Sequence, residues 1–295
     1  MFLKSIVAAT FALGLTAIAA SAGTKLFSDS TLVVQDRFSD EIVGQGPDLV
    51  FIPGLSSSRE VWKATAEQLK SRYRLHLIQV SGFAGEEPRA NASGPVLAPT
   101  AEAIDGYLVA HHLAPATVIG HSLGGTMILY LAQHQPEHLK KVMLVDALPF
   151  AATVMAGPTA TAASMAQMAD QARRAPSKMP MSDQMLAAMA TAPADRAVIK
   201  AWSDASDTSA VSNAFADDMT LDLRPSLSSV SVPMTLVYPD YAPVGRMKGG
   251  SLALYGGEYA PLKGIKLVEI ENSVHFIMFD QPERFAAVLE DFLKE

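Results

Sequence analysis

The chain of 295 residues contains no cysteine, which excludes disulfides, thiolate metal sites and a cysteine nucleophile. Lipid attachment behind a cleaved leader is excluded with them, because it needs a cysteine at the new N-terminus. Charge is scarce as well. Fewer than a fifth of the residues are charged, the formal net charge is −7, and no Lys/Arg cluster offers the basic stripe that a phosphate backbone requires, so no nucleic-acid partner is expected. Phosphate-binding glycine loops, dinucleotide fingerprints, metal-ligand spacings and internal repeats are all missing, and neither cofactor nor metal is expected. Long apolar runs are missing too, apart from Ile6 to Ala20. That run follows Lys4 and ends in the small-x-small site Ala20-Ser21-Ala22, the pattern of a secretory leader. It is shorter than the ~17–25 apolar residues of a membrane span. Residues 1–22 are therefore expected to be removed on export, leaving a periplasmic or secreted protein without a stable membrane anchor.

What is present is a globular composition, nearly half apolar, long enough to bury one large core. Strand patterns fall at Leu32 to Phe38, Glu41 to Val43, Leu49 to Ile52, Leu75 to Val80, Thr117 to Ile119, Lys141 to Val145, Val232 to Tyr238 and Lys266 to Ile270. Helical spacing falls between them: after a capping box at Ser57-x-x-Glu60, over Ala101 to His112, from Leu123 to His134, over Gly249 to Tyr259, and in a final amphipathic helix carrying Phe285, Leu289 and Phe292. The alternation argues for a mostly parallel sheet with helices on both faces. Ser81 to Pro99, rich in Gly, Pro, Ser and Asn, reads as a long surface loop.

From Leu148 to Arg224 the rhythm changes. Eight of the 14 methionines fall here and β-branched runs are nearly absent. The segment reads as a helical cap (148–224) inserted into an α/β core (23–147 and 225–295), with breaks at Gly157-Pro158, Ala175-Pro176, Met179-Pro180 and Ala192-Pro193. Its methionines either pack the cap onto the core or line an acyl pocket, since thioether side chains adapt to both tasks.

The chemistry concentrates at Gly120-His121-Ser122-Leu123-Gly124, between a β-branched strand and a helix. A turn of this kind holds its central serine in a strained conformation with the hydroxyl exposed, and needs small residues two before and two after. A serine hydroxyl is a poor nucleophile and needs a base, an acid to orient that base, and donors for the oxyanion. His275 is the expected base, because it follows the last strand at the carboxyl edge of the sheet, where the elbow also lies. His76, His111, His112, His134 and His138 stand on helices, their ends or a strand and read as surface or satisfied core. His121 is expected to pack or hydrogen-bond behind the nucleophile.

With Phe51-Ile52-Pro53-Gly54 after a strand, the elbow at Ser122, Leu144-Val145-Asp146-Ala147, Asp240 and His275 in that order, the chain resembles the α/β-hydrolase family over roughly 45–150 and 225–295. The resemblance implies an α/β-hydrolase fold, a Ser122, Asp240, His275 triad, and an oxyanion hole from the backbone N–H groups of Leu55 and Leu123. Pro239 stands directly before Asp240, where relatives commonly carry Gly-x-x-Asp. Asp146 is the alternative acid, since some lipases of this fold place theirs there; otherwise it ties the strand end to the cap entrance near Leu148-Pro149. Pro53-Gly54 replaces the usual His-Gly and still permits the turn. A serine at the elbow argues against the epoxide hydrolases and dehalogenases of the same family, which carry aspartate.

The expectation is an exported serine hydrolase cleaving small apolar carboxylic esters through an acyl-enzyme. Lactonases, C–C bond hydrolases and perhydrolases on the same scaffold are the alternatives, as is a non-catalytic relative that binds an apolar ligand.

Overall fold

The computed structural model describes residues 25–178 and 181–295. The leader assigned to residues 1–22 and the break at Met179-Pro180 lie outside the described residues. No described helix is long and apolar enough to cross a membrane.

Eight strands form one sheet: β1 (Thr31–Val34), β2 (Phe38–Gly44), β3 (Asp48–Ile52), β4 (Arg74–Val80), β5 (Ala116–His121), β6 (Leu139–Val145), β7 (Met234–Pro239) and β8 (Lys266–Ile270). Their order is β1-β2-β4-β3-β5-β6-β7-β8, with β1 and β2 antiparallel and everything from β4 to β8 parallel. Between them run α1 (Lys63–Leu69), α2 (Leu97–Ala110) and α3 (Leu123–His134). The stretch between β6 and β7 holds α4 (Thr153–Ala156), α5 (Ala162–Arg174), α6 (Asp183–Met189), α7 (Pro193–Ala205) and α8 (Thr208–Thr220). The chain closes with α9 (Gly250–Glu258), α10 (Ile277–Asp280) and α11 (Pro282–Lys294).

Strand residues alternate between two cores, as the period-two geometry of a strand requires. Val50, Ile52, Val118, Val142, Leu144 and Leu236 face α2, α3 and α9. Their neighbours Leu49, Phe51, Ile119, Met143, Val145 and Val237 face α1 and α11. There the predicted stripe of Phe285, Leu289 and Phe292 is buried. Every parallel strand is thus apolar on both faces, and helices have to cover both.

Two local expectations change. The cap ahead of α1 is Ser58, whose hydroxyl accepts from the Glu60 N–H at 3.1 Å, while the Ser57 hydroxyl bonds back to the Leu55 carbonyl. The first turn there is 3₁₀, over Arg59–Trp62, before the α-helix begins. The loop after β4 also ends sooner than composition suggests. Helix α2 starts at Leu97 because Asp217, on α8, accepts from the N–H groups of Val96 and Leu97 at 2.6 and 3.0 Å. An N-terminal cap supplied from 120 residues away leaves no mark in the local sequence.

Crowding around α3 fixes where that helix begins. A Cβ on Gly124 would lie 2.5 Å from the Ile52 carbonyl oxygen and 2.7 Å from that of Pro53, both backbone atoms that cannot step aside. Gly106, exposed in the middle of α2, has open space around it. Gly124→Ala should therefore lower unfolding free energy by about 1–3 kcal/mol through overpacking. Gly106→Ala should raise it by about 0.5–1 kcal/mol, because alanine loses less backbone entropy in a helix. Urea denaturation of both variants checks the pair; equal effects would place the constraint elsewhere.

Candidate active site

Ser122 stands between β5 and α3 with φ 52° and ψ −123°, a conformation costly for any residue with a side chain. The surroundings leave it no alternative. A Cβ on Gly120 would meet Gly124 backbone atoms at 2.6 Å, and one on Gly125 would meet the Ala147 Cβ at 2.5 Å. The Ser122 N–H donates to the Val145 carbonyl at 2.9 Å, fastening the turn to the end of β6. The hydroxyl is left half-exposed, on the floor of two cavities.

His275, in the loop between β8 and α10, borders both of those cavities with Ser122. Its Nδ1 bonds to Asp146 Oδ2 at 2.6 Å. This corrects the expectation for Asp240. Asp240 Oδ1 instead accepts from the N–H groups of Ala242 and Ser273 at 3.1 and 3.3 Å, bracing the turn after β7 and the loop that carries His275. The tie expected of Asp146, from the strand end to the stretch near Leu148-Pro149, is not what its side chain forms; it bonds His275, Tyr241 and Tyr255.

The reason lies in how the two strands end. Asp146 takes a left-handed φ of 46° directly after β6, and Tyr241 takes one of 55° after β7. Tyr241 sends its hydroxyl to Asp146 Oδ2 at 2.8 Å, and the Tyr255 hydroxyl of α9 donates to Asp146 Oδ1. Burial alone would raise the Asp146 carboxyl. The charge and hydrogen bond of His275, with those of the two tyrosines, pull it below its ordinary value instead. An ionised carboxylate only accepts, so Nδ1 of His275 carries the proton and Nε2 is free to take one. Both tyrosines are pushed well above their ordinary value, by burial first and then by the Asp146 charge, and stay donors.

His121 does pack behind the elbow, against His275. Its ring lies 4.5 Å from that of His275, and Nε2 donates to the His275 carbonyl at 3.0 Å. Complete burial, reinforced by the neighbouring His275 charge, drives its pKa down to about 3. It is a neutral prop for the loop. The other histidines are occupied elsewhere: His76 bonds Asp40 and Asp48, His138 bonds Asp105, and His134 bonds the Tyr130 carbonyl. His111 and His112 are exposed.

Leu55 and Leu123 lie where the sequence puts them, on the turn after β3 and at the first position of α3. Among the described residues neither N–H donates a hydrogen bond; the first N–H of a helix has no partner within it. A Cβ on Gly54 would come within 3.0 Å of the Ser122 Cβ, so the Gly54-Leu55 turn lies directly against the serine. Gln79 holds that loop from below, donating to the Ser57 carbonyl at 3.1 Å and accepting from the Arg59 N–H at 2.8 Å.

The segment between β6 and β7 completes the site. The N–H groups of His275 and Phe276 donate to the Ala188 and Met189 carbonyls at the end of α6, at 3.2 and 2.8 Å. Asp280 accepts from Thr191 through Oδ1 and from the Val274 N–H through Oδ2. The smaller cavity, about 200 Å³, is lined by Leu55, Met181, Met185, Met189, Ile199 and Phe276. The larger, about 520 Å³, runs past Thr126, Leu148, Val154, Asp218, Leu254 and Arg246. Three of the methionines therefore line a cavity, while Met165 and Met219 pack in a core of their own with Phe150. Sequence reasoning had no signal for Tyr241, Tyr255 or Asp218, which are ordinary helix and loop residues until the fold brings them to the site.

The profile of the alpha/beta hydrolase family matches residues 49–288. Among curated proteins, a pimeloyl-[acyl-carrier protein] methyl ester esterase of Aeromonas salmonicida is 39% identical over 111 residues, 38% of this chain and 42% of that protein. One of the same name from Chromobacterium violaceum is 34% identical over 111 residues, 37% and 40% of the two chains. The chain thus matches about two fifths of the length of these relatives. Among solved structures, a hydrolase from Pseudomonas aeruginosa superposes with a TM-score of 0.72 at 20% identity, covering 91% of this chain and 99% of the other. An enol-lactonase from Burkholderia xenovorans follows at 0.71 and 19%, covering 88% and 96%. These structures speak for the fold alone. With a family profile running from β3 into α11, and with a parallel sheet, an elbow and strand-end loops in the matching order, the chain belongs to the alpha/beta hydrolase family.

Proposed function

We propose that the protein is an exported serine hydrolase that cleaves carboxylic esters through an acyl-enzyme, with Ser122 as nucleophile, His275 as base and Asp146 as the orienting acid. The observation that carries the reading is the bond from Asp146 to His275 Nδ1, beside a serine held in a strained elbow and open to the same two cavities. The names of the curated relatives, methyl ester esterases, support ester cleavage.

In this reading Ser122 Oγ attacks the ester carbonyl carbon and its proton passes to His275 Nε2. The carbonyl oxygen gains the charge and is held by the N–H groups of Leu55 and Leu123, which need no reorganisation to receive it. Collapse breaks the ester C–O bond, and the proton on His275 goes to the departing alcohol. Water then repeats the sequence, giving its proton to His275 as it attacks the acyl carbon, and Ser122 is released with the acid product. The imidazolium formed twice per turnover is steadied by Asp146, whose negative charge Tyr241 and Tyr255 share without neutralising.

Ser122→Ala should lower kcat on p-nitrophenyl esters by about 10⁴–10⁶, as members of such a set act as a unit. It should also abolish labelling by a fluorophosphonate. A variant that keeps a tenth of the wild-type rate would sink the serine mechanism.

Asp146→Asn should cost about 10⁴ in kcat, the loss produced by that exchange in a serine-protease triad, because the amide cannot steady the imidazolium or fix its tautomer. Asp240→Asn should keep most of the turnover and show its effect in the melting temperature, since Asp240 braces backbone. Measuring kcat and thermal midpoint for both decides the assignment; the reverse pattern would return the role to Asp240.

Export rests on Lys4, the apolar run and Ala20-Ser21-Ala22. Intact mass of the protein recovered outside the cytoplasm should correspond to a chain beginning at Gly23. A chain still beginning at Met1 would contradict it.

A further inference from the structure

The larger cavity contains a side chain that the ester chemistry does not use. Asp218, on α8, is 8% exposed and lines this cavity together with Ser122 and His275. Its Oδ1 is fully buried and takes no hydrogen bond of ordinary geometry among the described residues, the Thr126 hydroxyl being the donor that comes nearest to pairing with the carboxyl. The adjacent Asp217 is committed elsewhere, to Val96, Leu97 and Arg173. A buried polar atom left without a partner costs about 1–3 kcal/mol, so a group that satisfies it on binding recovers what the empty site lacks.

Charge narrows the class of that group. Arg246 lines the same cavity, its guanidinium 5.0 Å from the Tyr241 ring centroid. A cationic substituent would be opposed by Arg246, and any charged group would have to leave water for a wall that includes Leu148, Val154 and Leu254. An uncharged group that can both donate and accept meets neither obstacle. The Asp218 carboxyl is itself suited to such a partner: burial pushes it up to about 7, Asp217 adds to the rise, and the Thr126 hydroxyl and the His275 charge oppose it. Near neutrality it presents both an O–H donor and acceptor oxygens.

We propose that the larger cavity takes an ester arm bearing an uncharged hydroxyl group, and that Asp218 is the residue that recognises it. The inference rests on the ester-hydrolase reading above and deepens it. The other arm of the ester lies against Met181, Met185 and Met189 in the smaller cavity. The preferred substrates are then esters of hydroxylated alcohols or of hydroxy acids, asymmetric between an apolar and a hydroxylated side.

Matched ester pairs test this in the full-length protein: ethyl against 2-hydroxyethyl butyrate for the alcohol arm, and p-nitrophenyl butyrate against p-nitrophenyl 3-hydroxybutyrate for the acyl arm. Butyrylcholine and monoethyl succinate serve as the cationic and anionic comparisons. In wild type the hydroxylated member of one pair should have the higher kcat/KM by about tenfold, the order of one hydrogen bond, and both charged esters should be poorer than it. The ratio within that pair should collapse to about one in Asp218→Leu and return in Asp218→Asn, whose amide also donates and accepts. A purely structural role would lower both members of a pair alike and leave their ratio intact, which would overturn the inference. So would a wild-type ratio near one in both pairs, a result that needs no variant to fold. A preference for butyrylcholine that Asp218→Leu removes would overturn it in favour of an ionised site for ammonium groups. Where every ester is inert and Ser122 resists the fluorophosphonate, the esterase reading falls and the inference with it; turnover with an unchanged ratio removes the inference alone.

Discussion

A carboxylate taken out of water has to be held by its neighbours, and the arrangement of this site follows from how Asp146 is held. Three donors converge on it: the His275 ring, the Tyr241 hydroxyl and the Tyr255 hydroxyl. Each comes from a different part of the chain beyond β7. Left unpaired, such a charge would neutralise or destabilise the fold by several kcal/mol. The same carboxylate therefore fixes the loop after β8, the turn after β7 and helix α9 around the end of β6. The orientation of the His275 ring and the cohesion of the carboxyl edge of the sheet are one requirement here.

The second requirement is steric. Ser122 is held in its turn because α3 crosses β5 so closely that neither Gly120 nor Gly124 tolerates a Cβ, and the strain of its positive φ is carried by a core that includes Val118, Ile128 and Leu129. Buried apolar packing contributes about 25 cal/mol per Å², so a well-filled core readily carries a local cost of ~1–3 kcal/mol. The strain is a consequence of where helix and strand meet, and it ends with Ser122 bordering the cavities.

These two constraints differ in how far they could be read from the sequence. The elbow is local: a β-branched strand, five residues and a helical period lie within one stretch, and the glycines name the close contacts. His275 was legible because the topology puts every loop after a parallel strand on the same edge. The carboxylate that pairs with His275 was not legible in the same way. Asp240 and Asp146 both follow parallel strands, and the choice depends on left-handed turns at Asp146 and Tyr241 and on two tyrosine hydroxyls that no pattern marks. The start of α2 was missed for a related reason, its cap being an aspartate of α8. Asp218 had no signal at all, since its meaning comes from burial beside Ser122 and from an oxygen without a hydrogen bond of ordinary geometry. What the sequence records well are periods and turns; what it records poorly are contacts between segments far apart in the chain.

The helices between β6 and β7 are joined to the chemistry by more than proximity. The last carbonyls of α6 have no partner within the helix, and those of Ala188 and Met189 take the N–H groups of His275 and Phe276. Asp280 repeats the link, gripping Thr191 with one oxygen and the Val274 N–H with the other. The end of α6 and the histidine loop are thus one hydrogen-bonded unit, and Met189 from that unit borders both cavities. Displacing α6 would break the two backbone bonds that set the height of His275 above Ser122. The wall between the two cavities is therefore built into the same few residues that hold the His275 loop in place.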